Sequence, residues 1–243
     1  MRWNEGYMLI NLNYRPLEKI KVKNPVHRIP YIVRHARNKR VLDIGCWDET
    51  ALFKKGTGHL LHEEISRVAS YVTGIDNSSK IPDEACVVNK NAKIIKMDAC
   101  NMDKKLFENN DFDLIVAGEI IEHLSDTTYF FLSLKNNYAG KQLICTTPNA
   151  FYIGNLLLGV FKRECSHPDH LLLYSYKTLN TVCKKACFSE WEIIPYHVYF
   201  TEAICKAAGI WKFMLIISER FVNSLECIFP LLSGGLILHV KRI

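Results

Sequence analysis

Three acidic residues stand at the ends of three successive apolar runs in the first half of the chain. Asp43, together with Gly45, ends the first run, Asp76 ends the second and Asp98 the third. A carboxylate in such a place can accept hydrogen bonds from both hydroxyls of a ribose, and a glycine lets a ligand approach the backbone. Because neighbouring parallel strands end at one edge of a sheet, the three acids predict a single rim that binds a nucleoside-containing ligand.

Histidines form a second group of residues that could do chemistry. His123 follows the fourth apolar run, and His167 and His170 flank Pro168 and Asp169 in a polar loop after the fifth. Imidazole exchanges a proton near neutral pH, so each ring is a candidate general base. Asp169 either orients one of these rings or caps the following helix, and the pattern leaves both interpretations open.

Alternating elements must position these residues. Five apolar runs are predicted as buried parallel strands: Val41–Ile44, Val72–Ile75, Ile94–Met97, Leu114–Ala117 and Leu143–Thr146. Helical stretches such as His59–Ala69 and Leu124–Asn136 lie between them. Strands that alternate with helices predict right-handed crossovers and a sheet covered on both faces.

The two ends of the chain depart from this rhythm. Residues 1–25 lack a clear period and are expected to form an N-terminal arm, and one domain is expected over residues 26–243. Further elements are predicted as helices at Val26–Asn38, Asn149–Val160 and Tyr176–Ala186, and as strands at Trp191–Tyr199 and Leu236–Lys241.

Five segments carry a resemblance to a known family. They are VLDIGC (41–46), VTGIDNS (72–78), IIKMDACNM (94–102), FDLIVAGEIIEHLSD (112–126) and QLICTTPNAF (142–151). In this order they resemble the motifs of class I S-adenosylmethionine-dependent methyltransferases, over roughly residues 26–190. The resemblance is closest to the branch of small-molecule and quinone-precursor O-methyltransferases. The expected fold is α/β, with a doubly wound, mostly parallel seven-stranded sheet, helices on both faces and the last strand antiparallel.

The resemblance implies how S-adenosylmethionine binds. Asp43 and Gly45 would line its methionine end, Asp76 its ribose, and Asp98 with the backbone of Ala99 its adenine. Glu119 would face the amino-acid moiety or the methyl acceptor. Their neighbours Cys46, Trp47 and Asn77 complete the predicted cofactor site, and an aromatic face at Trp47 or Tyr152 would attract the sulfonium.

A metal is a separate question. In quinone-pathway enzymes, a segment similar to Glu119-Ile-Ile-Glu122-His123 is associated with a divalent cation, and on a helix these three side chains would share one face. Many family members with a plain Glu-His-Leu segment do not imply a metal. We therefore expect none here.

Two rival functions stay open. Trp47 and Glu49 stand where the family commonly has glycine, which favours a degenerate protein that binds the cofactor without turnover. The other rival is a nicotinamide-dependent oxidoreductase, but no third glycine follows the first strand. We favour O-methylation of a small molecule, such as a sugar or a lipid-linked acceptor.

The composition of the chain limits the kinds of partner that we expect. The chain has 243 residues, a net charge of +6 and an apolar content of 49%, which are typical of a soluble globular protein. Its basic residues are spread along the sequence, so we expect no nucleic acid partner. Nine cysteines without metal-binding or redox spacing, and no export signal at the N-terminus, favour a cytoplasmic location. The oligomeric state stays open.

The tail from Ala203 to Leu232 is long and apolar, but charged residues interrupt it. We expect a helical elaboration at about 203–232, packed and buried on the sheet, without stable membrane insertion. The alternative is a lid or an interfacial anchor, with Lys206 and Lys212 facing anionic head groups.

Overall fold

A computed structural model describes residues 12–47, 54, 56–81, 86–102 and 111–243, with residues 86–89 described as backbone only. One eight-stranded sheet runs through it, in the order β3-β4-β2-β1-β5-β6-β8-β7. The strands are β1 (Arg40–Ile44), β2 (Tyr71–Asp76), β3 (Cys86–Asn89), β4 (Ala92–Lys96), β5 (Leu114–Gly118), β6 (Gln142–Pro148), β7 (Trp191–Tyr196) and β8 (Gly235–Val240). Strands β4, β2, β1, β5 and β6 are parallel neighbours, and β8 is antiparallel to both β6 and β7.

Helices cover both faces of the sheet. They are α1 (Arg28–Ala36), α2 (Leu61–Ser66), α3 (Thr127–Asn137), α4 (Ile153–Val160), α5 (Tyr176–Lys185), α6 (Thr201–Lys206) and α7 (Gly209–Ile228). Helices α1 and α2 bury Ile32 and Ile65 against one face, while α3 and α5 bury Phe130 and Leu179 against the other. Successive strand residues contribute to opposite faces, so the central strands are buried on both sides.

The expected fold class is confirmed, with one strand added. Strand β3 pairs antiparallel with β4 at the edge of the sheet, beyond the seven strands that the pattern predicts. Its sequence, Cys-Val-Val-Asn, is too short to show a period. The predicted strand and helix positions otherwise agree with the structure to within a few residues at each end.

The described part of the N-terminal arm lies along α5. The Tyr14 hydroxyl is 2.8 Å from Oγ1 of Thr181 and accepts a hydrogen bond from Nδ2 of Asn180 at 2.9 Å. Glu18 forms an ion pair with Lys177 at 3.0 Å. The arm therefore packs against the domain from residue 12 onward, and residues 1–11 lie outside the described part.

The tail between β7 and β8 consists of α6, α7 and a 3₁₀ turn at Pro230–Leu232. Our expectation that it is buried is wrong: in α7 only Glu226 is buried, and the side chain of Trp211 is 74% exposed. Among the helices described, none has the length and apolar character needed to cross a bilayer.

Glu226 anchors α7 to the sheet. Its side chain has no exposed surface. Its carboxylate lies 2.8 Å from Nδ1 of His197 and accepts hydrogen bonds from the backbone N–H groups of Gly234, at 2.8 Å, and Val198, at 3.4 Å. Burial raises the pKa of Glu226 to about 7. These hydrogen bonds compensate the cost of burying the carboxyl group.

We therefore predict that Glu226→Ala strongly destabilises the protein. The substitution leaves the N–H groups of Gly234 and Val198 and the ring of His197 without their acceptor, which costs about 2–3 kcal/mol. Urea unfolding followed by circular dichroism measures the loss. Glu190→Ala is the control, because its ion pair with Lys241 is partly exposed and such pairs contribute about 0–1 kcal/mol. Equal stabilities of the two variants would contradict the anchoring role.

Candidate functional site

A cavity of about 840 Å³ opens at the carboxyl ends of β1, β2, β4 and β5. All twelve residues selected from the sequence line it: Asp43, Gly45, Cys46, Trp47, Asp76, Asn77, Asp98, Ala99, Glu119, His123, His167 and His170. Tyr152 is not among the lining residues, so it does not offer an aromatic face to this cavity. The parallel register of the strands brings the twelve lining residues together from segments that are far apart in sequence.

The turn after β1 forms the floor of the cavity. Gly45 has a φ of +73°, and a Cβ there would lie 3.2 Å from Cδ1 of Ile120. Asp43 is buried, and its Oδ2 lies 2.8 Å from Nδ1 of His62 on α2. This hydrogen bond fixes the carboxylate, so its role in the cavity depends on a residue that the sequence pattern did not single out.

Asp76 lies at the end of β2 and closes the same turn from the side. Its Oδ2 accepts a hydrogen bond from the backbone N–H of Trp47 at 3.1 Å, and its Oδ1 accepts one from that of Ser78 at 2.8 Å. Burial raises its pKa above the ordinary value. Each oxygen retains a lone pair for a further donor, which suits a ribose with two adjacent hydroxyls.

The remaining wall combines a buried thiol, an indole and a capped turn. Burial raises the pKa of the Cys46 thiol well above its ordinary value, so it is uncharged at neutral pH. Trp47 packs against the apolar cluster of Cys46, Ile81 and Ile94. Asp98 is exposed and caps its own turn, with Oδ1 accepting from the N–H of Cys100 at 2.8 Å. Glu49 lies outside the described residues.

Glu119 has a strained backbone and an ion pair. Its φ is +54°, a conformation that few residues other than glycine adopt and that is frequent at functional sites. Its Oε2 lies 2.9 Å from the Arg28 guanidinium, and its Oε1 accepts a hydrogen bond from the Tyr196 hydroxyl at 2.7 Å. These contacts hold the carboxylate at one place on the cavity wall.

Glu119, Glu122 and His123 do not lie together on one helix. Only Ile121–His123 is helical, as one 3₁₀ turn, and Glu119 precedes it in a left-handed conformation. Glu119 and His123 therefore do not share a helix face, because the chain turns sharply between β5 and the 3₁₀ turn.

Three histidines converge instead. Ligand atoms of His123, His167 and His170 all lie within 4.8 Å of one another. The ring centroids of His123 and His170 are 4.7 Å apart, and Nδ1 of His123 lies 3.2 Å from the carbonyl oxygen of Asp169. Burial, and then the neighbouring imidazoles, lower the pKa of His170 below its usual value. His170 is therefore uncharged, and able to accept a proton, at neutral pH.

Glu122 adds an acid beneath this cluster. The residue is buried, lines the cavity, and its carboxyl oxygens have no hydrogen-bond partner among the described residues. Burial, and then the Glu119 charge, raise its pKa to about 8. Its backbone carbonyl accepts hydrogen bonds from the N–H groups of Leu171, at 2.8 Å, and Leu172, at 3.1 Å. These bonds fix the histidine loop over the cavity.

Sequence reasoning missed several residues of this region. A second cavity of about 460 Å³ adjoins the first, since both are lined by Arg28, Lys54, Glu119, Pro148 and Glu202. Aromatic side chains of Tyr196, Tyr199 and Phe200 line the second cavity. No motif marks the residues that reach this region from α1 and from the chain after β7. The aromatic side chains at 196–200 are the feature of the sequence that could have indicated them.

Part of the chain is similar to known methyltransferases. Residues 55–136 match the family described as Methyltransferase domain. A curated relative, the ubiquinone biosynthesis O-methyltransferase of Rhizobium leguminosarum bv. trifolii (strain WSM2304), is 29% identical over 131 residues, which are 48% of this chain and 47% of the relative. The chain thus spans about half the length of that relative.

Solved structures share the fold. A SAM-dependent methyltransferase from Archaeoglobus fulgidus is 18% identical, with a TM-score of 0.51 over 88% of this chain and 91% of that one. The small RNA methyltransferase HEN1 is 16% identical, with a TM-score of 0.55 over 93% of this chain and 27% of that one. These similarities show that the chain has the fold of S-adenosylmethionine-dependent methyltransferases, and its residues 55–136 are similar to the methyltransferase domain family.

We predict that Asp76→Ala weakens binding of S-adenosylhomocysteine about tenfold or more. Hydrogen bonds that involve a charged group contribute about 1.5–3 kcal/mol, and the variant loses the carboxylate that we assign to the ribose. Isothermal titration calorimetry measures the affinity, and circular dichroism verifies the fold. Asp111→Ala, at an exposed carboxylate outside the cavity, is the control and should bind normally. Unchanged affinity of folded Asp76→Ala would show that the ribose lies elsewhere.

Proposed function

We propose that this protein transfers the methyl group of S-adenosylmethionine to a hydroxyl of a small molecule, with a sugar or a lipid-linked acceptor favoured. The observation that carries the proposal is the histidine cluster, which lies on the same cavity as the three strand-end acids. The cavity thus combines a predicted cofactor side with a base. The similarity to an O-methyltransferase of ubiquinone biosynthesis supports oxygen as the methylated atom.

The proposed reaction is one displacement. S-adenosylmethionine supplies an activated methyl group, and the acceptor oxygen forms the new C–O bond while the S–C bond breaks. The protein has to hold the two partners in line and exclude water. Asp43, Asp76 and Asp98 would fix the cofactor along one side of the cavity, so that the acceptor enters beside the histidine loop.

His170 is the base that the geometry favours. Its neighbouring imidazoles and its burial keep it uncharged, so it can take the proton from the acceptor hydroxyl. His123, with Nδ1 close to the Asp169 carbonyl, would position the loop that carries His170. His167 is more exposed and contacts the backbone N–H of Asp169 at 3.3 Å, which suits a supporting role.

The adjoining cavity suits the acceptor. Tyr196, Tyr199 and Phe200 offer aromatic faces, on which the apolar face of a sugar or a ring can pack. Arg28 and Glu119 lie between the two cavities and can bind polar groups of the acceptor. A small molecule is therefore favoured over nucleic acid, although HEN1 is by its name a small RNA methyltransferase.

We also propose a reducing, cytoplasmic environment. Eight cysteines of the described residues are free thiols: Cys46, Cys100, Cys145, Cys165, Cys183, Cys187, Cys205 and Cys227. Four of them are exposed, where an oxidising compartment would favour their oxidation.

Calorimetry followed by turnover tests the proposal against its rivals. The protein is titrated with S-adenosylmethionine, S-adenosylhomocysteine and NAD, and release of S-adenosylhomocysteine is then measured with sugar nucleotides, lipid-linked saccharides, catechols and a small RNA. Binding of the first two ligands and turnover with a hydroxylated small molecule supports the proposal. Binding without turnover in the whole panel favours the degenerate binder, and turnover with RNA alone refutes the small-molecule assignment.

We predict that His170→Asn lowers kcat about 100-fold or more, with unchanged affinity for S-adenosylhomocysteine, because general-base catalysis contributes about 10²–10⁴-fold. In the unsubstituted protein, kcat/KM should fall only below about pH 6.5, because the pKa of His170 is lowered. The His170→Asn variant should lose this acidic limb. His35→Asn, outside both cavities, is the control. A normal kcat for His170→Asn would remove His170 from the mechanism.

A further inference from the structure

Helix α7 turns both of its acidic residues toward the protein and exposes several of its large apolar side chains. Its two acidic residues, Glu219 and Glu226, face the protein: Glu219 accepts a hydrogen bond from the N–H of Phe200 at 2.6 Å, and Glu226 is buried as described above. Surface helices of globular proteins instead bury an apolar stripe and expose polar side chains. The inward face of α7 is therefore held by hydrogen bonds.

The outward face carries an apolar stripe. It consists of Ile210, Met214, Ile217, Phe221 and Ile228, each between 44% and 67% exposed. At about 100° per residue these five positions fall within an arc of about 60°, roughly opposite Glu219 and Glu226. A continuous exposed stripe of large apolar side chains is typical of an interaction surface.

Helix α4 is a second helix with exposed apolar side chains. None of its residues is buried, and Leu156, Leu157 and Val160 are all exposed, as is Phe161 after it. Nδ2 of Asn149 donates hydrogen bonds to the carbonyl oxygens of Leu231 and Ser233, at 2.8 and 2.9 Å. These bonds join the segment before α4 to the turn after α7. Both helices therefore lie at the end of the sheet where Pro148 borders the two cavities.

Exposed cationic side chains lie near the stripe. On α7, the exposed Arg220 lies beside the stripe, whereas the exposed Lys212 lies on the side of the helix that carries Glu219 and Glu226. Lys162 and Arg163, also exposed, follow α4 directly. Because the acids of α7 face inward, the helix presents its apolar stripe to solvent together with Arg220. An apolar face bordered by Lys and Arg matches the boundary between acyl chains and anionic head groups.

We propose that α7 and α4 dock this protein onto an anionic lipid surface, with the stripe in the head-group region and Arg220, Lys162 and Arg163 at the phosphates. Charge favours this occupant over a second copy of the chain, since pairing two stripes would bring the cationic borders of two copies close together. Docking requires no methyl transfer, so its test is independent of the proposed function.

Co-sedimentation with vesicles tests the proposal on the full chain. We expect binding to phosphatidylcholine vesicles that contain phosphatidylglycerol, weaker binding to phosphatidylcholine alone, and a loss of binding as salt increases, because salt screens the electrostatic part. This salt titration needs no variant. Binding to neither vesicle, or equal and salt-independent binding to both, would overturn the proposal.

Matched variants locate the docking surface. Phe221 is 64% exposed on α7 and Tyr129 is 60% exposed on α3, so Phe221→Glu and Tyr129→Glu each replace an exposed aromatic ring with one negative charge. We expect Phe221→Glu to lower the vesicle partition coefficient about tenfold or more, and Tyr129→Glu to leave it unchanged. Circular dichroism verifies both folds. Equal effects of the two variants would overturn the assignment. So would a dimer, detected by light scattering, that Phe221→Glu dissociates while neither protein binds vesicles.

Discussion

The parallel register of β4, β2, β1 and β5 is the constraint on which the rest of the structure depends. It pairs Asp43 with Gly74 on one side and with Val116 on the other, so the three strands end at one level. The side chains after those ends meet although they are far apart in sequence. The same register requires a small residue at Gly74, where a Cβ would lie 2.6 Å from Sγ of Cys46 and 2.8 Å from the His62 ring. The packing of the sheet therefore also fixes the geometry of the cavity.

Desolvation decides the charge of the groups around the cavity. Asp43 is buried with His62 as its partner, whereas Glu122 is buried without a hydrogen-bond partner among the residues described and has a pKa raised to about 8. His170 is held uncharged by burial and by its imidazole neighbours. The cavity thus contains an uncharged acid and an uncharged base at neutral pH, a combination that enzymes use for proton transfer.

The part of the domain after β7 is held in place differently from the central sheet. The sheet is closed by β8, and α7 adds little to the apolar core: its anchor is the buried carboxylate of Glu226. Helix α7 contacts Phe200, a residue of the second cavity, through Glu219, and α4 follows Pro148, which lines both cavities.

The sequence by itself determined the alternation of strands and helices, the doubly wound sheet and the identity of the strand-end residues, because periodicity and the residue after each strand are local properties. It also selected three histidines that the fold brings together. Only the tertiary structure decided the partners of Asp43 and Glu119, the sharp turn of the backbone at Glu119, the edge strand β3 and the exposure of α7. Each of these depends on contacts between distant segments. For α7 in particular, an apolar helix has the same sequence pattern whether its apolar face meets a core or faces outward, and only the buried Glu226 shows which face points inward.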